Sequence, residues 1–564
     1  MSAQKSKTFS VQICFIVSFF LCLFSAGLFH NFAAVLAVIP FAVILAVASV
    51  KNGHLKFFLN PASVCLGLFL VFYALTTLWA TDSGMAVIGF LRFMPVIVFA
   101  LALMQFEDMR KKIMSVFPYI MAAGTVITSL LGLIPPLSKL FLVEGRLAGF
   151  LQYPNTFALL LLVAEIYLVC NFKNRARDTV CLIILIFGIL YTGSRTAFVI
   201  AAAANLGLVL LIPGKRIKLA IGGALIVSVL AVVFGALILH IEILERFIKI
   251  SFSSTTFMGR LLYMRDAVPL VLSHPFGTGF MGYYYLEQQV QTGVYSVMYL
   301  HNDFLQFALD IGWVPAAALI ISFLKPAFSR GTSTARRIAL LSIFAHSILE
   351  FNLQFIAVLM LAVLLFDTRS GKQYKLSFGK AGIIPASVLS AVSLYFGIAL
   401  ALSQFGAFKT SAKMYPFNTV NNVSRLSALD TEDAAELSNK ILAQNENVVI
   451  ARSALARFAY SKGDFSTLIQ TKRQIINLAP FAYEEYEDYA VMLANGVMLY
   501  SRAGNTQSAE ICKKELVSLR KALRSTENRL SYFGKRIIDQ PTTEFPEQIE
   551  KYIDNVETQI EGRG

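Results

Sequence analysis

Two arginines and one histidine are of residue types that can bind and transfer an anionic group. Arg260 and Arg265 lie five positions apart, and His301 follows about forty residues later. Guanidinium offers planar paired donors and keeps its charge, so an arginine pair suits a multiply charged anion such as a diphosphate. Arginines at a membrane surface can equally extend toward water or pair with carboxylates such as Asp266 and Glu287. The sequence leaves both interpretations open.

His301 stands directly before Asn302 and Asp303 at the start of an apolar run. Imidazole titrates near neutrality, so His301 could act as a general base or bond to a leaving or accepting oxygen. The alternative is an interfacial histidine at a helix start. Asp303 and Asp310 are seven residues apart, which places both carboxylates on one face of a helix. Ionisable groups in such a helix indicate a polar interior or a substrate path.

Two further segments contribute one arginine each. Arg195 lies in a tight turn between two apolar runs, and Arg146 precedes a Gly-rich stretch that ends at Asn155. Asn155 could hydrogen-bond a sugar or cap the helix that follows it.

The elements that must position these residues are membrane helices. Of 564 residues, 56% are hydrophobic and 15% are charged, and the mean hydropathy is +0.65; soluble chains are about one quarter charged. A helix of about 20 apolar residues crosses a bilayer. About thirteen such runs start near Val11, Phe32, Pro61, Gly84, Ile113, Pro154, Val180, Thr196, Ile217, Asn302, Ile338, Leu353 and Ala381.

We therefore predict an all-α fold in two domains. Residues 1–410 would form a polytopic membrane helix bundle of about 12–13 spans, and residues 411–564 a soluble, extracytoplasmic, α-helical repeat-like domain. The connection at about 240–301 is unusually long and too aromatic for disorder, so we expect it to form a partly helical cap on the outer face.

The net charge of +15 is explained by membrane topology. Of the 30 basic residues in positions 1–410, twenty-one fall in alternate connections and eight on the opposite side. The positive-inside rule then predicts a cytoplasmic N-terminus, and thirteen crossings place the C-terminal domain outside. The remaining cation, Arg92, lies within a span; it could pair with Glu165, reach an anion site, or be structural, which we favour. No nucleic-acid partner is implied.

Four of the eight outward cations belong to the segments described above: Arg146, Arg195, Arg260 and Arg265. Their convergence on the face where few cations are expected indicates a shared anionic ligand.

Taken together, these segments resemble the O-antigen ligase and O-antigen polymerase superfamily of bacterial envelope glycosyltransferases. The resemblance covers roughly Glu144 to Asp367. It rests on GRLAGFLQYPNT at Gly145–Thr156, TGSRT at Thr192–Thr196, GRLLYMRD at Gly259–Asp266, HPFGTGF at His274–Phe280, and His301-Asn302 followed after nine residues by Gly312-Trp313-Val314-Pro315. The family usually has a small or polar residue in the place of Pro315, which leaves the local helix geometry open.

The resemblance implies transfer of a glycan from an undecaprenyl diphosphate carrier to an acceptor hydroxyl of a glycan or lipid, outside the bacterial cytoplasmic membrane. It implies no nucleotide sugar, no metal and no other cofactor. Arginines would hold the diphosphate, and the histidine would lie near the acceptor or leaving group. The implied catalytic residues are His301, Arg260 and Arg265, and the implied substrate-binding residues are Arg195, Arg146, Asn155, Asn302 and Asp303. Inversion at the anomeric carbon is the simpler hypothesis, since no convincing carboxylate nucleophile is found.

Residues 411–564 contain 19 Lys+Arg and 20 Asp+Glu, an ordinary soluble composition. Tyr460 and Tyr500 are 40 residues apart and Gly463 and Gly504 are 41 apart, within similar amphipathic patterns. The pattern resembles degenerate tetratricopeptide repeats, although an array of helical hairpins remains an alternative. Such a domain would bind a polymer or a protein partner, or else stabilise the membrane domain.

Two other function classes were compared with glycan transfer. A polytopic transporter or flippase for a lipid-linked glycan would show repeats with broken helices, and we find no such symmetry. A scaffold would leave the outward arginines and His301 unexplained. Ligase and polymerase activity remain equally open, because both use the same donor.

Overall fold

The computed structural model describes residues 2–173, 175–212 and 215–561. These residues form helices and four short strands. The first eleven helices are α1 Ser2–Phe24, α2 Asn31–Leu36, α3 Val38–Asn52, α4 Pro61–Thr76, α5 Ser83–Met104, α6 Met109–Gly132, α7 Pro135–Phe141, α8 Pro154–Cys170, α9 Ala176–Tyr191, α10 Arg195–Leu211 and α11 Lys215–Leu237.

The connection after α11 contains three helices, and five more complete the apolar part of the chain. The three are α12 Glu242–Ile248, α13 Thr255–Ser273 and α14 Gly282–Val290; the five are α15 Asp303–Ile311, α16 Trp313–Phe328, α17 Thr334–Ser347, α18 Ile356–Leu365 and α19 Ile383–Gln404.

The C-terminal region consists of successive helices that pack largely against their sequence neighbours. They are α20 Phe408–Met414, α21 Thr419–Leu426, α22 Thr431–Gln444, α23 Val449–Ser461, α24 Phe465–Leu478, α25 Tyr483–Arg502, α26 Thr506–Arg524 and α27 Glu547–Glu561. Gly463 and Gly504 both have a positive φ in the turns after α23 and α25. The repeat assignment itself stays a prediction.

Two small antiparallel sheets lie outside the helices. Strand β1 Leu55–Leu59 pairs with β4 Lys372–Leu376, and β2 Leu142–Val143 pairs with β3 Arg146–Leu147. The first sheet joins segments that are more than 300 residues apart, and the second holds Arg146 in place.

Four helices in the described part of the chain are long and apolar enough to cross a membrane: 31–52, 83–104, 109–132 and 379–404. A bent pair, 221–237 and 242–248, makes five if it counts as one span, and six further apolar helices are shorter. Each of the predicted apolar runs coincides with a helix or a helix pair. The structure therefore supports a multi-pass membrane protein, while 12–13 spans remains a prediction.

Two helices form the centre of the bundle. Nearly every residue of α8 and every residue of α18 is buried. Both are apolar on all sides, as expected for a helix surrounded by other helices. The N-terminal ends of α8 and α18 lie together. Thr156, in the first turn of α8, donates a hydrogen bond of 2.9 Å to Asn352, which lies just before α18. This end of the bundle positions the site described below.

The helix predicted to start at Asn302 is interrupted, which corrects the single span expected there. Gly312 separates α15 from α16 with φ of +93°, a conformation that favours glycine. A Cβ on Gly312 would lie 2.5 Å from the carbonyl oxygen of Pro275, so the break is also a close backbone contact. Pro315 then falls in the first turn of α16, where its missing N–H is tolerated.

Arg92 and Glu165 do not pair, which removes one of the alternatives considered from sequence. Arg92 donates to the carbonyl of Phe29 and to Asn31, both at 2.6 Å, whereas Glu165 accepts a 3.0 Å bond from Asn205. Both charged groups therefore have separate structural partners.

The C-terminal region is joined to the membrane region through Asp82, which is fully buried just before α5. Its carboxylate accepts bonds of 2.6 Å from Thr419, 2.6 Å from Gln444 and 3.2 Å from Asn445. One carboxylate thus links the start of a membrane helix to the beginning of α21 and the end of α22 in the C-terminal region.

A second junction is made by the segment Ser531–Gln540, here called the strap. The Ser531 amide donates to the Thr292 carbonyl at 2.9 Å. A Cβ on Gly534 would lie 2.1 Å from that carbonyl oxygen, so only glycine allows this approach. Ile537 packs over Gly259 and Gly293. The strap therefore holds α13 and the loop that follows α14.

Candidate active site

Glu350 lies at the centre of a cluster of side chains from separate parts of the sequence. It follows α17 in the turn that leads to α18, and its side chain is 0% exposed. Tyr153 donates its hydroxyl to Oε2 at 2.7 Å, and Asn155 donates Nδ2 to Oε1 at 2.7 Å. Because a buried carboxylate needs such donors to stay charged, the cluster is organised around Glu350.

Arg260, from α13, is the charged partner of Glu350. Its Nη2 bonds Glu350 Oε1, and its Nη1 donates to the Thr196 hydroxyl at 2.9 Å. Burial would raise the pKa of Glu350, but the charges of Arg260 and His301 outweigh it and hold the pKa at about 2. Glu350 is therefore ionised at neutral pH.

His301 faces the other oxygen of the same carboxylate. Its Nδ1 lies 3.3 Å from Glu350 Oε2, within ion-pair distance but without the alignment of a hydrogen bond. The imidazole ring meets Phe351 edge to face at 5.0 Å and lies 5.9 Å from the ring of Tyr263. These rings and the carboxylate of Glu350 restrict the orientation of His301.

Arg146 reaches the cluster from strand β3. Its Nε donates to the Thr192 carbonyl at 2.8 Å, and its Nη2 donates to Asn155 Oδ1 at 2.7 Å. Asn155 therefore bridges Arg146 and Glu350. The helix-cap alternative for Asn155 is wrong, because Tyr153 occupies the cap position and Asn155 lies inside α8.

A cavity of about 220 Å³ lies beside this cluster. Its polar end is formed by four arginines, of which Arg246 comes from α12 and was not identified from sequence. The rest of its wall is largely apolar. The arginines are Arg146, Arg195, Arg246 and Arg260, and the apolar residues include Val199, Ile200, Ile250, Phe252 and Phe257.

The arginines are not neutralised within the part of the chain that the structure describes. One carboxylate, Glu350, makes an ion pair with one of them, Arg260. The buried Nε atoms of Arg195, Arg246 and Arg260 have no hydrogen-bond partner among the described residues. Burial and the nearby Arg246 lower the pKa of Arg146 to about 10. Such a cluster of like charges with unused donors is an anion-binding arrangement.

Arg265 is not brought to this cavity. Its side chain is 49% exposed, and Nη1 bonds the Thr292 hydroxyl at 2.6 Å and approaches Asp266 at 3.4 Å. Asp266 in turn accepts from the Thr292 amide at 2.7 Å. Of the two arginines considered from sequence, Arg260 faces the cavity, while Arg265 pairs with a carboxylate of its own helix.

Asn302 and Asp303 lie next to His301 but have internal partners. Asn302 caps α15 by accepting from the amides of Phe304 at 3.1 Å and Leu305 at 3.0 Å. Asp303 is fully buried and accepts from the Leu353 amide at 3.0 Å. Both residues therefore fix the backbone on either side of the site.

Glu350, Tyr153 and Arg246 are the cluster residues that sequence reasoning did not assign to the site. Glu350 belongs to none of the motifs identified from sequence, and no spacing pattern connects it to Asn155, 195 positions away. The available signal was the rarity of a carboxylate between two apolar helices, which indicates function by default. Arg246 offered a similar signal as an outward cation.

A comparison with known families provides an independent result. The family model described as O-antigen ligase matches residues 180–320, about a quarter of the chain. No curated protein matches. The match confirms the resemblance to the O-antigen ligase and polymerase superfamily that the motifs indicated. The matched region includes Arg195, Arg246, Arg260, Arg265, His301, Asn302 and Asp303, and excludes Arg146, Asn155 and Glu350.

Proposed function

From the premise that residues 180–320 carry the O-antigen ligase family domain, we propose that this protein transfers a glycan from undecaprenyl diphosphate to an acceptor hydroxyl on the outer face of the cytoplasmic membrane. The family match supports glycan transfer of the O-antigen ligase or polymerase type in general. The donor and the residues that bind it are our inference from the cavity.

The observation that carries the proposal is the shape and lining of the arginine cavity. A polyprenyl diphosphate has a doubly charged head joined to an apolar chain. The four arginines match the head, and the residues around Ile250 and Phe257 match the start of the chain. Guanidinium groups that lack other partners are available to bind the phosphate oxygens.

The arginines would also promote the chemical step. Transfer breaks the bond between the anomeric carbon and the diphosphate, and negative charge develops on the leaving oxygen. Fixed donors aimed at that oxygen stabilise the transition state more than the ground state. Arg260 is the best placed, because its ion pair with Glu350 and its bond to Thr196 fix the guanidinium.

His301 is the proposed general base. With a proton on Nδ1 facing Glu350, the imidazole can accept the acceptor hydroxyl proton at Nε2, and Glu350 then stabilises the imidazolium. Glu350 itself is a poor nucleophile, since both oxygens are occupied and its pKa is about 2. We therefore propose direct displacement by the acceptor with inversion at the anomeric carbon.

The other residues have supporting roles in this proposal. Arg146 and Arg195 bind the diphosphate, and Asn155 couples Arg146 to Glu350. Asn302 and Asp303 hold the backbone around His301. We assign Arg265 to positioning of the Thr292 loop. The C-terminal region would bind polymer or a protein partner, and the N-terminus would be cytoplasmic.

A transporter or flippase is not favoured by the family match. The site also lies at one end of the bundle, where it suits a reaction at one membrane face. Ligase and polymerase activities share this geometry and differ in the acceptor.

The proposal is tested with purified protein, a lipid-diphosphate oligosaccharide and candidate acceptors. We expect the wild type to release lipid diphosphate as it forms a glycosidic bond. Arg260→Ala and Glu350→Gln should each lower the rate about 100-fold or more, as for loss of an oxyanion donor, and His301→Ala by a similar factor.

Arg265→Ala serves as the matched control, since it removes an arginine from the same helix without touching the cavity. We expect a smaller loss of rate than for Arg260→Ala. Equal rates for the wild type, His301→Ala and Arg260→Ala would show that the site is assigned wrongly. Failure of the folded wild type to use any lipid-diphosphate donor would overturn the proposed function.

A further inference from the structure

A second cavity, of about 370 Å³, lies at the other end of the bundle from Glu350. The two ends are joined by α5, which begins beside Asp82 and ends at Met104, next to Gln105; the helix is about 33 Å long at 1.5 Å per residue. The charge distribution predicts that this end faces the cytoplasm. The cavity has no part in the proposed reaction.

The lining of this cavity is basic on one side and apolar on the other. Its lining includes Lys51, His54 and Lys56 on the basic side, and Val11, Val47 and Phe106 on the apolar side. The described residues that line it include no carboxylate. An amphipathic ligand with an anionic head fits such a wall better than a free ion or a neutral lipid does.

Strand pairing concentrates the positive charge. Lys56 of β1 lies directly opposite Lys375 of β4. Opposed side chains in an antiparallel pair share one face, and like charges there are destabilising. Among the residues described, no carboxylate forms an ion pair with either lysine. The carboxylate of Glu107 pairs elsewhere, since it lies 3.6 Å from Arg369.

The position of Lys56 is fixed before any ligand binds. Its amide donates to Gln105 Oε1 at 2.9 Å, and Gln105 Nε2 donates back to the Lys56 carbonyl at 2.9 Å. The opposite face of the two strands is apolar and exposed at Leu59, Tyr374 and Leu376. An exposed apolar face is expected to contact the lipid interface, which places the lysines at headgroup depth.

We propose that this cavity binds the phosphate group of an anionic phospholipid, held by Lys56 of the lining and by Lys375 opposite it on the adjoining strand, with the acyl chains against the apolar wall. The phosphate relieves the repulsion between the opposed lysines. The bound lipid thereby joins β1, which follows α3, to β4, which precedes α19. This site is independent of the proposed glycan transfer.

The test uses the full-length protein in nanodiscs of phosphatidylcholine with added phosphatidylglycerol. We expect native mass spectrometry to show retained phosphatidylglycerol and the Tm to rise with its content. Lys56→Gln and Lys375→Gln should each weaken phosphatidylglycerol binding about fivefold, since one basic contact near a membrane surface contributes about that factor. Thermal unfolding in phosphatidylcholine alone confirms that the variants fold.

Lys372→Gln is the matched control. Lys372 belongs to the same strand but lies on the other face, over the ring of Tyr374 at 5.2 Å. It should retain wild-type lipid binding. Equal binding by all three variants, or no preference for phosphatidylglycerol over phosphatidylcholine, would overturn the proposal. An equal Tm rise with inorganic phosphate alone would show that the site binds a free ion, which also overturns the lipid assignment.

Discussion

At the scale of single residues, the site depends on one carboxylate that lies far in sequence from its partners. Glu350 accepts from Tyr153 and Asn155 and pairs with Arg260 and His301. Removing one partner of a buried ion pair leaves the other uncompensated, which typically costs about 3–5 kcal/mol. Glu350 therefore maintains both the fold of this end and the orientation of the reacting groups.

A variant of Arg246 tests donor binding in the arginine cavity without changing Arg260, Glu350 or His301. Arg246→Ala removes a guanidinium whose buried Nε has no hydrogen-bond partner in the part of the chain that the structure describes. A charged hydrogen bond contributes about 1.5–3 kcal/mol, so we expect the KM for the lipid donor to rise about 10- to 100-fold. Steady-state kinetics with varied donor measure this change.

Lys249→Ala is the control for Arg246→Ala, because Lys249 lies just after the same short helix, is 71% exposed and pairs with Glu245. Its KM should match the wild type. A wild-type KM for Arg246→Ala would exclude Arg246 from donor binding.

Several residues of the candidate cluster were predicted from sequence because they stand in a motif, although their roles stay a prediction. Arg195, Arg260 and His301 belong to short segments whose types and spacing indicate anion binding and proton transfer. Glu350 belongs to no such segment, and its importance arises only when α8, α13 and α17 pack together. Arg265 shows the converse. It is an arginine of the same motif as Arg260, but its side chain pairs with Asp266.

At the scale of elements, apolar runs predicted the membrane helices well, because the length of a run and its polarity act locally. The break at Gly312 was not predictable in this way. Its cause is the backbone of Pro275, which approaches from another part of the chain. Helix identity is a local property here, whereas helix interruption depends on tertiary contacts.

A buried carboxylate in α14 predicts that the stability of the connection at about 240–301 depends on pH. Glu287 is buried, and its carboxylate accepts bonds of 3.3 Å from the Ser296 hydroxyl and the Val297 amide. Burial raises the pKa of Glu287 from 4.5 to about 8. Between these values the folded state holds a proton that the unfolded state has lost, so stability should fall as pH rises, by about 1 kcal/mol per pH unit.

Glu287→Gln should remove this dependence, because the amide does not ionise. Limited proteolysis of residues 240–301 between pH 6 and 9 measures the effect. We expect faster cleavage of the wild type toward pH 9 and a constant rate for the variant. Parallel pH profiles for the two proteins would contradict the assignment.

At the scale of the whole molecule, the C-terminal region contacts the segments that carry the proposed catalytic residues. The strap packs on α13 one residue from Arg260 and bonds the loop that ends at His301. Ile537→Lys should therefore lower kcat on the order of 10-fold with little change in KM, since small displacements of reacting groups are costly. Ile537→Leu should restore kcat.

Ile538→Lys is the control for the strap, because the neighbouring Ile538 is 78% exposed. It should leave kcat unchanged. Hydrogen exchange of residues 259–266 and 291–300 provides a second measurement: Ile537→Lys should increase it and Ile538→Lys should not. Unchanged kcat and exchange in Ile537→Lys would show that the strap has no positioning role.

The two junctions of the C-terminal region lie near opposite ends of its sequence. Residues 419–445 hold Asp82, and residues 531–537 hold Thr292 and its surroundings. Because the C-terminal region is bonded near both ends of its sequence, it cannot rotate away from the membrane region. Under the proposed function, a glycan bound to this region would be kept at a constant distance from His301, so the protein itself would align the glycan with the site.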